Sequence, residues 1–263
     1  MSNAITKQRS EIKYLISAEK RHALRKIISQ QIPEHCFLKG KELTLISTVY
    51  FDTVNLNYYK QAVQDPYNNT KIRAREYYYF NKDMVEHALS MDSLFEYSDI
   101  LWLEIKERKN QESFKKRVKI SKSVFTGQQN YPTLVEKIVA DNPEQNLNDS
   151  FSQILNQICA GALQPAAVVN YKRNAFQTDD ASLRISLDTG VGYYKVPDGF
   201  FKAQVSLTRE NLPLQTGSEP MTILEIKYTD QLPEWLKSPL KDLSPTNFSK
   251  FSSCMNSICS GWV

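Results

Sequence analysis

The sequence predicts an α+β fold: an antiparallel sheet closed into a β-barrel and decorated by surface helices. Three observations predict it. Short segments along the whole chain alternate apolar and polar side chains with a period of two, as half-buried strands do. Their polar faces carry formal charge, and most of that charge is basic. Between them lie stretches with apolar residues at helical spacing.

The clearest alternation is Leu101–Ile120, LWLEIKERKNQESFKKRVKI. Leu101, Leu103 and Ile105 fall on one face, and Trp102, Glu104, Lys106 and Arg108 on the other. After the polar break at Asn110–Ser113, Lys115, Arg117 and Lys119 oppose Val118 and Ile120. This is a hairpin with one apolar and one charged face.

Taken in order, Glu11–Ile16 sets Ile12, Tyr14 and Ile16 against Glu11, Lys13 and Leu15. Ser17 caps a helix running to Gln31, with Leu24, Ile27 and Ile28 inward and Pro33 beyond its end. Leu43–Asp52 is a strand rich in β-branched and aromatic residues, followed by a short helix over Leu56–Val63 and turn chemistry at 64–70. In the strand Ile72–Tyr79, Arg73, Arg75 and Tyr77 oppose Ile72 and Ala74. Residues 81–97 have no strong period and read as a helical or loose insertion. Leu134–Val139 and Phe151–Ile158, the latter after Asp149 as a cap, read as helices lying on the sheet. Strands resume at Ala166–Phe176, with Tyr171 and Arg173 on one face, and at Leu183–Leu187, with Arg184, Ser186 and Asp188 together. Tyr193–Val196, Gln204–Thr208 and Ile223–Tyr228 follow, the last setting Glu225 beside Lys227. Pro233–Leu243 and Asn247–Cys259 close the chain as helices, the second burying Phe248, Phe251, Met255 and Ile258. No linker interrupts the pattern, so residues 7–263 are expected to form a single domain.

Composition narrows the function. The 263 residues are 41% hydrophobic and 11% aromatic, enough for a sizeable core. Lys and Arg number 33 against 29 Asp and Glu, and a net charge of +4 does not indicate a nucleic-acid partner. Four cysteines without CxxC spacing fit a reducing compartment, and no apolar run approaches the roughly 18 residues of a membrane span. The expected location is cytoplasmic. The three histidines lack zinc spacing, and with eight glycines there is neither GxxxxGK[ST] nor GxGxxG.

The charge is concentrated on the strand faces. Lys13, Arg73, Arg75, Lys106, Lys115, Arg117, Arg173, Arg184 and Lys227 stand against Glu11, Glu104, Asp188 and Glu225. A sheet face in water would mix its signs and carry more Thr, Ser and Gln. Closing the sheet into a barrel aims these side chains into one lumen, where unpaired like charges are costly unless a polyanion joins them. Arginine forks suit phosphates, and the remaining carboxylates suit a hard divalent cation.

The motifs EIKY (11–14), STVYFDT (47–53), KIRAREY (71–77), LEIKER (103–108) with KKR (115–117), NYKRNAFQ (170–177), LRISLDT (183–189), ILEIKY (223–228) and FSKF (248–251) follow one another in an order that resembles the VTC domain. This is the polyphosphate polymerase branch of the triphosphate tunnel metalloenzymes, in the CYTH-like superfamily. The resemblance implies a tunnel-forming antiparallel barrel that transfers the ATP γ-phosphate to a polyphosphate chain with Mn²⁺ or Mg²⁺ and releases ADP. It implies phosphate contacts from Lys13, Arg73, Arg75, Lys106, Lys115, Arg173, Arg184, Ser249 and Lys250. Glu225 corresponds to the metal carboxylate, with Glu104 a second candidate ligand. Tyr171 corresponds to an aromatic able to stack on the base, and Lys60, Arg117 and Lys227 to further substrate-binding positions.

The expected partners are ATP and inorganic polyphosphate, with no nucleic acid and no membrane span in this chain; a membrane-associated partner protein remains open. A family lysine before FSKF is Asn247 here, and the regulatory and membrane-spanning domains of eukaryotic forms have no counterpart in these residues. Two alternatives stand beside the polymerase. One is a metal-dependent hydrolase of triphosphate or polyphosphate, whose usual ExExK start reads Arg9-x-Glu11-x-Lys13 here. The other is a non-catalytic polyphosphate-binding module.

Overall fold

A computed structural model of the chain describes residues 10–80, 100–110, 112–121, 136, 138, 140, 149–198, 207 and 211–260. In chain order the elements are β1 (Ser10–Ile16), α1 (Ala18–Gln31), β2 (Leu43–Asp52), α2 (Asn57–Gln64), β3 (Asn69–Phe80), β4 (Ile100–Lys109) and β5 (Glu112–Ser121). They continue with α3 (Asp149–Cys159), β6 (Gln164–Gln177), β7 (Leu183–Tyr194), β8 (Gln215–Glu219), β9 (Thr222–Tyr228), α4 (Glu234–Leu240) and α5 (Lys250–Cys259). The strands form one nine-stranded antiparallel sheet in the order β1-β9-β7-β6-β2-β3-β4-β5, with β8 added to β7.

The expected closed barrel does not form. The pairing is an open path, and among the described residues no ladder joins β1 to β5. The sheet is nevertheless strongly curled. Six strand steps separate β1 from β4, so a flat sheet would hold them roughly 29 Å apart at about 4.8 Å per step. Yet Lys106 Nζ on β4 lies 3.6 Å from Glu11 Oε2 on β1. The charged face is therefore the concave one. At β1 the backbone has a different partner: Thr246, between α4 and α5, donates its N–H to Lys13 C=O at 2.9 Å. Asn247 Nδ2 next to it donates to Tyr67 Oη at 3.2 Å, tying this segment to the turn before β3. A connecting segment thus takes up a β1 carbonyl, and side chains span the seam.

Apolar clusters cover the convex face, two of them built by helices. Leu24 and Ile28 of α1 pack with Leu236 and Leu240 of α4 onto Tyr14, Ile185, Leu224 and Ile226. Phe151, Ile154 and Leu155 of α3 cover Phe51, Ile72, Leu103 and Ile120, joined by Ile138. Ser17 caps α1 as the sequence predicts, its hydroxyl accepting the Lys20 N–H at 3.2 Å. Two buried polar residues on this side, Ser47 and Glu76, hold the Leu207 backbone: Ser47 Oγ donates to its carbonyl at 2.5 Å and Glu76 accepts its N–H at 3.0 Å.

The third cluster lies on the concave face itself. Phe251, Cys254, Met255 and Ile258 of α5 pack against Ile46, Tyr50, Val169, Tyr171, Val191, Tyr193 and Ile223. α5 is thus no surface decoration; it fills one end of the concavity. A β-bulge makes this possible. The β6–β7 register shifts between Asn170 and Lys172, and Gly190 takes a left-handed φ of 58° there. The extra residue flips the strand's phase, so polar Arg184, Ser186 and Asp188 share a face with apolar Val191 and Tyr193.

The phase flip also explains why the sequence suggests two strands, Leu183–Leu187 and Tyr193–Val196, where one continuous β7 forms. β8 (QTGSE) has no apolar alternation and exists through its pairing with β7, where a Cβ on Gly217 would collide with Ser257 of α5. The 81–97 insertion, the 204–208 strand except Leu207, and most of the 134–139 helix lie outside the described residues.

Phe251 is 1% exposed and stacks on Tyr50 at 4.9 Å between ring centroids. Phe251→Ala should destabilise the fold by about 3–5 kcal/mol, read from the denaturant midpoint. A loss below 1 kcal/mol would mean that α5 does not hold the concave face together.

Candidate functional site

The charged residues of β3, β4 and β5 stand in three cross-strand rows. They are Lys71–Lys106–Lys115, Arg73–Glu104–Arg117 and Arg75–Trp102–Lys119. Directly opposed like charges destabilise a sheet, and diagonal neighbours remain within reach of long side chains. Glu104, central to this lattice and fully buried, is the counter-ion. Its Oε2 lies 2.9 Å from Arg73 Nε and 3.5 Å from an Arg75 guanidinium nitrogen, and its Oε1 is ion-paired with Lys115. Burial pushes the Glu104 carboxyl up, and Arg75, Arg73 and Lys115 more than offset it, holding the group far below the usual carboxylate range.

A second nest surrounds Asp188, also fully buried. Arg173 grips it bidentately, Nε to Oδ1 at 2.6 Å and NH2 to Oδ2 at 2.8 Å, and Lys250 Nζ reaches Oδ2 at 2.6 Å. Lys250 is the first residue of α5, so the helix packing that closes one end of the concavity also delivers this ammonium. Ser249 is the N-cap of α5, and its Oγ accepts the Ser252 N–H at 3.3 Å.

The third nest alternates in sign both along and across β1 and β9, where Lys13 faces Glu225 and Glu11 faces Lys227. Lys13 lies 3.0 Å from Glu11, and Lys227 lies 3.4 Å from Glu11 and 3.0 Å from Glu225. Burial and Glu225 push Glu11 up, but Lys106, Lys13 and Lys227 bring its carboxyl to about 2. Against burial, the same kind of lysine neighbourhood holds Glu225 well below its ordinary value.

Most of the expected residues therefore meet on one concave face. Lys13, Arg73, Arg75, Lys106, Lys115, Arg173, Lys227, Lys250, Glu104 and Glu225 belong to the three nests. Arg184 is on the same face, opposite Lys227, with its guanidinium 4.9 Å from the Phe37 ring centroid. Arg117 is exposed and lies 4.4 Å over the Trp102 ring. Lys60 is exposed on α2, where its charge acts on Asp52. Tyr171 is fully buried, with Arg173 at 5.5 Å and Lys250 at 4.6 Å from its ring centroid. Its hydroxyl has no hydrogen-bond partner among the described residues. A ring so enclosed offers no face to a nucleobase.

Sequence reasoning gave no role to Lys71, two residues before Arg73, although parity alone puts it on this face. It has no carboxylate partner among the described residues. Burial, then Lys106 and Lys13, push its ammonium down to about 7. Burial, partly offset by Glu11, sets Lys106 to about 8.

A divalent metal would find hard oxygen donors in Glu225 and Glu11, which are close enough to repel one another. No group of three His, Cys, Asp or Glu converges among the described residues. Glu104 does not fit the ligand role expected of it: three cations enclose its carboxylate and, unlike Glu11 and Glu225, it has no exposed surface.

Residues 8–259 match the model of the VTC domain family. The chain belongs to that family. Among curated proteins none matches this sequence. Solved structures similar to this VTC domain include a putative adenylyl cyclase from Hippeastrum, described as having a dominant triphosphatase activity (17% identity, 97% of this chain and 96% of that one, TM-score 0.47). Others are a Pyrococcus horikoshii protein (11%, 94% and 98%, TM-score 0.43) and a putative adenylate cyclase from Bacillus halodurans (14%, 91% and 95%, TM-score 0.44). Likeness this distant carries no argument about activity. No helix among the described residues of the VTC domain is long and apolar enough to cross a membrane.

Two measurements test this electrostatic reading. Glu104→Gln keeps size but leaves buried Arg73 and Arg75, and the exposed Lys115, without their counter-ion. It should cost about 3 kcal/mol of stability, and saturating tripolyphosphate should raise the variant's melting temperature more than the parent's. The depressed Lys71 and Lys106 destabilise the empty fold in their charged form. The unfolded chain binds more protons than the folded one between about 7 and the ordinary lysine value, so the empty protein should gain stability as pH rises through that window. An anion restores the charged form, so tripolyphosphate binding at pH 8 should take up protons. Calorimetry in buffers of different ionisation enthalpy reads this directly, and zero proton uptake would contradict it.

Proposed function

We propose that this VTC domain transfers the γ-phosphoryl group of ATP to the end of a polyphosphate chain, using Mn²⁺ or Mg²⁺ and releasing ADP. What supports the reading is family membership together with one observation: buried arginines and half-buried lysines converge on a concave face around the buried carboxylates Glu104 and Asp188. In the step, the bond from the β–γ bridging oxygen to the γ-phosphorus breaks and its electron pair leaves with ADP. A terminal oxygen of the acceptor chain forms the new bond to phosphorus.

Little covalent chemistry is left to the protein, so its work is alignment and charge stabilisation. The Arg73, Arg75 and Arg173 guanidiniums orient non-bridging oxygens, exchanging carboxylate contacts for phosphate ones. Lys13, Lys71, Lys106 and Lys250 supply compact charge along the chain. The Tyr171 hydroxyl, buried beside Arg173 and Lys250, is a donor available to a phosphate oxygen. Glu225, with Glu11, would hold the divalent cation, whose contribution is to polarise the transferred group.

The deciding experiment incubates purified protein with ATP and Mn²⁺ and resolves ADP, free phosphate and polyphosphate. ADP matched by long chains supports the polymerase; ADP matched by free phosphate makes the protein a hydrolase; no turnover makes it a binding module. Glu225→Gln should lower turnover on the order of 10³-fold, because the polarisation it anchors is worth several kcal/mol. Tripolyphosphate binding should survive that substitution. Unchanged rate and metal dependence would place the metal elsewhere.

A further inference from the structure

Phosphate chemistry does not account for the contacts that cross the open seam. Lys13 of β1, Lys71 of β3 and Arg108 of β4 come together there, and Arg108 is near enough to repel both ammoniums. Like Lys71, Arg108 has no carboxylate partner among the described residues. Its guanidinium lies 5.2 Å from the Tyr67 ring centroid and donates to the Pro66 carbonyl at 3.3 Å. Two segments meet beside it. The turn at 64–70 is built around Tyr67: the Asp65 carboxylate accepts the Tyr67 and Asn68 N–H groups at 3.0 and 2.9 Å. Asn68 Oδ1 in turn accepts the Asn110 N–H at 2.9 Å, which pins the turn to the β4–β5 connection. From the other side comes a strap, 244–249, joining α4 to α5. It gives the Thr246 N–H to Lys13 C=O at 2.9 Å, and Thr246 Oγ1 accepts the Phe248 N–H at 3.2 Å. The bond from Asn247 Nδ2 to Tyr67 Oη joins turn to strap across 180 residues of sequence.

We infer that Tyr67 is a positioning residue for the phosphate site: through Asn247 it clasps the strap to the β3–β4 side and so sets how far Lys13 stands from Lys71 and Arg108. The inference rests on the phosphate reading above and adds what fixes the width of that site. Three arguments carry it. First, no backbone ladder joins β1 to β4 or β5 among the described residues, so the repulsion among these cations acts directly on the seam. Lys106 and Glu11 pair across it, but both are about a quarter exposed, where ion pairs hold weakly. Second, the strap has two outputs. Thr246 holds the Lys13 carbonyl, and three residues past Asn247 stands Lys250, 2.6 Å from Asp188 Oδ2. Moving Asn247 therefore moves cations of two nests. Third, Tyr67 and Asn247 are both exposed and neutral. Their bond buries little and balances no charge, so what it contributes is geometry. A single exposed hydrogen bond is modest, and it tunes affinity without deciding the fold.

The test measures tripolyphosphate binding by calorimetry on the full chain. Tyr67→Phe, which keeps the ring over Arg108 and loses the hydroxyl, should weaken binding about fivefold. Asn247→Leu should do the same, and the double variant should bind no more weakly than either single one, because both remove one contact. Asn247→Gln keeps an amide donor and should stay within about twofold of the parent. Melting temperatures of all four should lie within about 3 °C of the parent's. A lower melting temperature with binding unchanged would make the bond a purely structural one and overturn the clasp. So would single effects that multiply in the double variant. A parent that binds tripolyphosphate without making polyphosphate from ATP removes the polymerase reading, and the same comparison still decides the clasp. A parent that does not bind tripolyphosphate removes the phosphate reading, and the clasp with it.

Discussion

The structure depends on one electrostatic constraint: cations of many strands share a single concave, water-poor face. Such a face cannot exist empty without counter-charge, because directly opposed lysines and arginines repel and burial penalises each of them. Glu104, Asp188 and the Glu11–Glu225 pair provide that counter-charge. Each sits where several cations converge, and in each case the attraction outweighs the burial that would otherwise protonate the carboxyl. The carboxylates are therefore structural in the empty state. Under the proposed function, a polyphosphate entering this face would exchange ion pairs that already exist.

The same constraint accounts for the shape. Bringing Lys106 to Glu11 requires the sheet to curl, but it does not require a hydrogen-bonded seam. Ion pairs and the segment around Thr246 span the gap, so the sheet stays open in its backbone while side chains meet across it. At the other end of the concavity, the bulge at Gly190 lets one strand present charge and then apolar surface to the same side. α5 packs on the apolar part and carries Lys250 to Asp188. A single packing event thus closes the core and completes part of the site.

What the sequence determined by itself is local. Period-two alternation placed β1 to β6 and β9 within a few residues and put Arg73, Arg75, Lys106, Arg173 and Glu225 on polar faces, because side chains on a strand alternate whatever lies beyond it. Ser17 and the apolar spacing placed α1 for an equally local reason. Only the tertiary structure decided which polar residues meet. The alternation of β7 hid a bulge, so one strand read as two, and β8 depends on a neighbour and not on its own composition. Whether the sheet closes was decided by the competition for the β1 edge, which no single segment encodes. Burial separated roles that residue type left equal. Tyr171 is fully buried beside two cations, Trp102 and the Tyr77–Tyr79 pair stay partly exposed, and Glu104 is locked among three cations without exposed surface while Glu11 and Glu225 each face a lysine and keep some. Distances between strands far apart in sequence set these differences, and alternation within a strand carries no record of them.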